Sequence, residues 1–334
     1  MKLKDFYSVI YTVKKPTVTL ARRKPLVKNL LLLDGMGRAG KFLAANVLNG
    51  FADVEPVQLC GLLEHIPYME KLGLMDTRVA EELLHHEVDM HAFEMLIGRN
   101  LNHRVFDKSS VFHTADAKKF IARAKTEDRD ALLRDYYKRG AYSLFLVHEV
   151  LPDAKIYFDS FPALKIISLS RSPVDLAYSW YTRHSTKRWG QDPTFFNIPL
   201  QGEKGVYPWY MHKDRATYET LLPADQNIFI IETLFKRYAA VMRGLSVAQR
   251  RKVLFVSYED MLSDTAGVVK KVQKFLGKKP LPGMASILKR EKLPNPGLVE
   301  SKKAEKLARL KADASPEYFK RLMALEKKYY AEQQ

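Results

Sequence analysis

The sequence predicts an α/β fold: a mainly parallel sheet flanked by helices. Two observations predict it. Short apolar runs alternate with helix-patterned stretches, and the runs end in polar or glycine-rich turns, the pattern of successive strand–turn–helix units. The chain has 334 residues and 46% hydrophobic content, enough to bury one large core.

The elements follow in order. Residues 1–27 are a basic lead-in with room for one short strand. The apolar run 30–33 reads as a strand and opens into Asp34-Gly-Met-Gly-Arg-Ala-Gly-Lys-Phe42, with a helix expected over about 43–49. Residues 59–100 are helix-patterned and methionine-rich. A short strand is expected at 104–106, and one or two polar helices over 114–138. Residues 142–147 read as a strand delivering His148 and Glu149. The run 166–169 ends in a turn at 170–173, followed by a helix over 174–184. Residues 186–225, with Trp189, Trp209 and several Gly and Pro, read as a long irregular excursion. Residues 228–232 fit either a strand or a helix start. A strand at 253–256 leads to a helix over 268–276 that stops at Gly277, a good terminator. Residues 301–334 read as a charged helical tail interrupted at Ser315-Pro316. The expected organisation is a lead-in (1–27), a single α/β domain (28–300) and the tail (301–334).

Two of these turns suit phosphate. Arg171 sits at a strand exit and Ser179 about one and a half turns into the next helix. A guanidinium fork and a hydroxyl near a helix start match an anion. In the first loop, Gly35, Gly37 and Gly40 permit tight turns that bring backbone N–H groups close to an anion, and Arg38 and Lys41 add charge. Ligands of parallel sheets bind at the strand C-terminal edge, which puts Arg38 and Arg171 on one side.

The block Arg171-x-Pro173-x-Asp175-x-x-x-Ser179 resembles the 3′-phosphate element of sulfotransferases that use 3′-phosphoadenosine 5′-phosphosulfate (PAPS). Arg38-Ala39-Gly40-Lys41 resembles their 5′-phosphosulfate loop, with Arg38 in the basic catalytic position. Ala39 stands where Ser is usual and Lys41 where Thr is usual; both lose a hydroxyl, and Lys41 substitutes by charge. Tyr258-Glu259-Asp260 followed by Phe275-Leu276-Gly277 resembles a late segment of the same family. The resemblance spans about residues 30–277. It implies a nucleotide-kinase-like P-loop fold, PAPS as co-substrate with PAP as product, and no required metal. It also implies cofactor contacts from Gly37, Arg38, Ala39, Gly40, Lys41, Phe42, Arg171 and Ser179. Carbohydrate-type members are the nearer likeness.

The expected reaction is transfer of the sulfuryl group to a hydroxyl of an acceptor, a carbohydrate among the candidates, by in-line displacement with a general base. His148 is the first candidate base. Its interval to Arg171 is similar to that between the catalytic His and the phosphate-binding Arg of cytosolic sulfotransferases, and Leu146 stands where those enzymes carry an assisting Lys. Glu149 is the second candidate, since carbohydrate-type relatives often use Glu. On an extended strand only one of the two side chains can enter the site. Asp107-Lys108-Ser109 is a rival source of acceptor-side chemistry. Trp189, Tyr207, Trp209 and Tyr210 are expected to stack on a sugar ring or cover an apolar acceptor.

Alternatives of other classes remain open. Gly35-x-x-x-x-Gly40-Lys41 fits most of a Walker A loop, the mark of a nucleotide kinase or NTPase. Phe42, however, lacks the hydroxyl that such a loop uses to hold Mg²⁺. A nucleotide-binding scaffold with a decayed site is the non-enzymatic reading. His85-His86-Glu87 and His91 superficially resemble a zinc helix, but His86 and His91 are five apart and do not share a face. No Gly-x-Ser-x-Gly elbow suggests a hydrolase.

The formal charge is +17. Residues 1–28 carry eight Lys and Arg against one Asp, and residues 278–334 carry 14 against seven Asp and Glu, so the excess lies at the ends. It suits attraction to an anionic membrane surface or an acidic acceptor; nucleic acid is not expected, because no binding motif accompanies the charge. The single Cys60, expected to be buried, and the lack of a continuous apolar leader suggest a cytoplasmic protein, with peripheral membrane contact an open option.

Overall fold

The computed structural model describes residue 18 and residues 20–332. The basic lead-in lies largely outside these described residues.

Five strands form the central sheet: β1 (Asn29–Gly35), β2 (Gln58–Leu59), β3 (Tyr142–Leu146), β4 (Lys165–Ser170) and β7 (Val253–Ser257), in the order β2-β3-β1-β4-β7. Every pairing is parallel. Between β4 and β7 the chain makes a two-stranded antiparallel hairpin, β5 (Pro199–Gln201) and β6 (Val206–Pro208), in the 186–225 excursion.

β1 shows why its sequence is an unbroken apolar run. Successive side chains of a strand face opposite ways. Leu31 and Leu33 enter the larger core, while Leu30 and Leu32 enter a second core on the other face. A strand covered on both faces needs apolar residues at every position. The helices α1 (Lys41–Leu48), α2 (Leu62–Lys71) and α3 (Thr77–Leu96) follow. Residues of α1 join the first core, and residues of α2 and α3 the second.

Two sequence expectations are corrected. Residues 104–106 are not a strand. They lie in a turn whose base is tied by the Asn102 side chain, which donates to Asp107 at 3.2 Å and Ser109 at 2.9 Å. Polar side chains at short spacing satisfied one another and left no ladder to extend. The ambiguous 228–232 segment is helical, inside the long helix Pro223–Gly244, where Ile228, Ile230 and Ile231 are buried.

Residues beyond 300 form the helices Lys303–Asp313 and Pro316–Ala331, with Ser315 capping the second. Leu310 and Leu322 are fully buried in the larger core. No helix among the described residues is long and apolar enough to cross a membrane.

Candidate active site

Both phosphate-suited turns lie at the C-terminal edge of the sheet, on neighbouring strands. β1 leads into the glycine loop. Gly35 has φ 142°, and a Cβ there would stand 2.5 Å from the Leu169 carbonyl oxygen of β4, so only glycine lets the two strands exit side by side. Gly40 has φ 92° and opens α1; a Cβ there would run into the Tyr258 ring. The first amides of α1, at residues that line the cleft, have no carbonyl partners within their own helix, and the helix dipole adds partial positive charge.

The two turns are physically joined. Arg171 Nη1 donates to the Arg38 carbonyl at 3.0 Å, and Arg38 Nε donates to Ser179 Oγ at 3.2 Å. Asp175 holds Arg171 through Nη2 at 2.9 Å, and Lys306 holds Asp175 at 2.7 Å. The Arg171 guanidinium also lies 4.3 Å from the Tyr258 ring centroid. Behind the turn, Glu326 of the last helix accepts from Ser172 Oγ at 2.9 Å and from the Val174 amide at 3.1 Å. A buried carboxylate thus caps the helix Pro173–Thr182 that carries Ser179.

A cleft of about 650 Å³ opens over these turns. Gly37, Arg38, Gly40, Lys41, Phe42 and Arg171 line it, with Arg183, Arg188 and Lys108 adding cations. Partial burial, then Arg183 and Arg171, push the Arg38 pKa down, the mark of a crowded cationic centre suited to an anion. A second, smaller cavity of about 260 Å³ lies between the sheet and the helices Pro223–Gly244 and Pro316–Ala331 and also touches Arg171.

Lys41 is placed differently from a free phosphate ligand. Its ammonium group donates to the Gly35 and Met36 carbonyls, and the side chain is buried. Burial lowers its pKa, while Glu149, Asp34 and Glu64 act the other way. Lys41 ties the loop to itself from within.

The acid–base candidates separate. The chain does not stay extended through His148 and Glu149: Glu149 has φ 53°, so the backbone turns there. Its carboxylate accepts from the Gly37 amide at 2.7 Å and lies beneath the loop, buried, with its pKa raised chiefly by that burial. His148 lines the cleft, stacked on Phe196 with ring centroids 4.0 Å apart. Its Nδ1 lies 2.7 Å from Glu64 Oε1. Glu64, from α2, also lines the cleft, and nothing in its local sequence pattern announced it. Burial pushes the Glu64 carboxyl up to about 8 and the His148 imidazole down to about 3.

The aromatic expectation is also corrected. Trp189, Tyr207, Trp209 and Tyr210 are all buried in the larger core. Phe195 and Phe196 of the same excursion line the cleft instead. Lys108 reaches the cleft, whereas Asp107 faces back toward Asn102. Cys60 is buried, as expected, and also borders the cleft. Its Sγ lies 3.9 Å from Glu87, which is likewise 3.9 Å from His91 Nε2.

A family model described as "Sulfotransferase domain" matches residues 77–322. The chain belongs to the sulfotransferase domain family. The matched span holds His148, Glu149, Arg171 and Ser179, and the glycine loop precedes it. Among solved structures, the chain is similar to the sulfotransferase domain of the Synechococcus PCC 7002 olefin synthase, at 16% identity and TM-score 0.45, covering 93% of this chain and 98% of that one. It is also similar to a sulfotransferase from Alicyclobacillus acidocaldarius, at 18% identity and TM-score 0.35, covering 90% and 100%. No curated protein matches the chain.

Proposed function

We propose that this sulfotransferase uses PAPS and passes its sulfuryl group to a hydroxyl-bearing acceptor in the 650 Å³ cleft. The observation that carries the reading is the junction of Arg38, Arg171 and Ser179 at one sheet edge, which offers two anion-binding points on adjacent strands. The residues fit such a co-substrate. Arg171 and Ser179 take the 3′-phosphate, Arg38 takes the phosphosulfate end, and the amides of Gly40, Lys41 and Phe42 cradle it at the start of α1. A Walker-type reading has less support, because Phe42 offers no oxygen to a metal.

In the transfer, the acceptor oxygen attacks sulfur and the bond from sulfur to the bridging phosphate oxygen breaks. Arg38 stabilises the charge that grows on that oxygen. The acceptor proton passes to the Glu64–His148 pair. With Glu64 ionised, His148 donates Nδ1–H to it and leaves Nε2 free to accept the proton. With Glu64 protonated, the carboxyl donates to Nδ1 and Nε2 already carries hydrogen. Glu149 holds Gly37 and acts on the loop, not on the acceptor. Phe195 and Phe196 offer the acceptor an apolar wall.

Ligand-dependent melting tests the reading. PAP, without Mg²⁺, is expected to raise the melting temperature more than ADP does, since a ligand that binds only the native state stabilises it by linkage. Strong stabilisation by ATP with Mg²⁺ and none by PAP would replace this reading with the kinase one.

A further inference from the structure

The loop 102–111 stands at the mouth of the cleft and is built from within. The Asn102 carbonyl accepts from the Val111 amide at 2.8 Å, and its side-chain oxygen accepts from the Arg104 amide at 2.9 Å. Leu101 and Val111, at its two feet, are buried in a small satellite core with Met95 and Phe120. The apolar residues that the fold uses are therefore at the base. The tip is left outside: Phe106 is 96% exposed and Val105 58% exposed. Leaving a phenylalanine in water on an ordered loop forgoes the stabilisation that burial gives. Nothing within the described fold covers it.

The surroundings indicate what would. Lys108 and Arg104, the latter exposed but paired with Asp107 at 3.2 Å, flank the tip; residues 101–125 carry six Lys and Arg against two Asp and Glu, of which Arg123 is buried against Glu55. Lys108 also lines the cleft, as do Phe42 and Leu59, which are themselves 37% and 50% exposed. A projecting pair of apolar side chains flanked by two cations matches a lipid interface, where the apolar tip enters the acyl boundary and the cations meet anionic headgroups. A protein partner would need a wider apolar face than a two-residue knob to form a stable interface.

We propose that this loop docks the protein on an anionic bilayer, with Val105 and Phe106 inserted and Arg104 and Lys108 on the headgroup phosphates. The cleft mouth then faces the lipid surface, so its acceptor is a hydroxyl carried at that surface. The docking stands on the loop alone; the statement about the acceptor rests on the sulfuryl-transfer reading.

Cosedimentation of the full chain with phosphatidylcholine vesicles, with and without phosphatidylserine, tests the docking without any turnover. Binding is expected only with phosphatidylserine. Phe106→Ser is expected to weaken it by about tenfold or more, the scale of losing one inserted aromatic, and Lys108→Gln by about fivefold. Phe106 is so exposed that its replacement leaves the fold intact, which an unchanged melting temperature verifies. In Phe106→Trp, the new indole emission is expected to shift to the blue on adding the same vesicles. Absence of vesicle binding by the unaltered chain overturns the proposal. So does equal binding by Phe106→Ser, which would assign the attraction to the basic residues 1–28. Self-association that Phe106→Ser abolishes, without vesicle binding, would reassign the loop to contact between copies of the chain. PAP binding and vesicle binding are separate measurements, so failure of either is visible on its own.

Discussion

Glu64 Oε1 and His148 Nδ1 are 2.7 Å apart, although 84 positions separate them in the chain. The helix α2 and the exit of β3 bring the pair to one wall of the cleft. Burial alone would keep the carboxyl protonated and the imidazole neutral, so the pair holds one exchangeable proton near neutral pH.

Turnover is expected to rise with pH up to about 8, where Glu64 gives up its proton and His148 Nε2 becomes a free acceptor. His148→Ala is expected to lower kcat by about 10²-fold or more, the scale of losing a general base, with PAP binding nearly intact. In Glu64→Gln the rise toward pH 8 should disappear. A kcat profile that keeps its limb in Glu64→Gln would remove Glu64 from the proton path.

The same two groups shape stability. Glu64 has a raised pKa, so the unfolded chain, with an ordinary carboxylate near 4.5, loses its proton first. Between about pH 4.5 and 8 the unfolded state binds fewer protons, and stability falls as pH rises. His148 acts in the opposite sense. Its pKa falls from 6.5 to about 3, so stability falls as pH drops through that window. Urea unfolding across pH should show Glu64→Gln flattening the alkaline limb and His148→Gln the acidic one.

Arg38 and Arg171 should separate kinetically. On the proposed assignment, Arg171 would meet a phosphate whose charge does not change in the reaction, whereas Arg38 would meet charge that grows in the transition state. Arg171→Ala is expected mainly to raise KM for PAPS, and Arg38→Ala mainly to lower kcat. Arg38→Lys should retain part of the activity, since it keeps the charge and loses the planar fork. The reverse pattern in steady-state kinetics would exchange the two roles.

Gly40→Ala should destabilise the chain by about 1–3 kcal/mol, because an alanine at φ 92° is strained and its methyl group meets Tyr258. Tyr258 also lies under Arg171, so weaker PAP binding should accompany the loss. Normal melting and normal PAP affinity in this variant would contradict the described loop.

The strand–turn–helix units were legible because their signals are local. The run 30–33, the glycine loop and α1 are contiguous, and β4 with the helix after it likewise. Direction was not legible. Lys41 occupies a loop position where a phosphate ligand would stand, yet its amine turns under the loop to the Gly35 and Met36 carbonyls. Spacing says which residue stands in a turn, not which side of the turn its side chain takes. The left-handed backbone at Glu149 broke the strand alternation that its neighbours suggested. Trp189 and Trp209 sit in a segment rich in Gly and Pro, which reads as surface, but their rings fill the larger core. Glu64 was silent because tertiary packing alone brings it to His148.

The Glu326 carboxylate reaches back 154 positions to finish the turn at Ser172. Synthesis delivers the N-terminal parts of a domain first. The central strands and the Arg171 turn therefore emerge well before the helix that steadies them. Until that helix docks, the Ser172 hydroxyl has the Asp175 amide as its local partner but no carboxylate to donate to, and the Val174 amide lacks its acceptor. On the proposed reading, the nucleotide end of the cleft thus matures late, and a nascent chain would gain its full ligand grip only as residue 326 arrives.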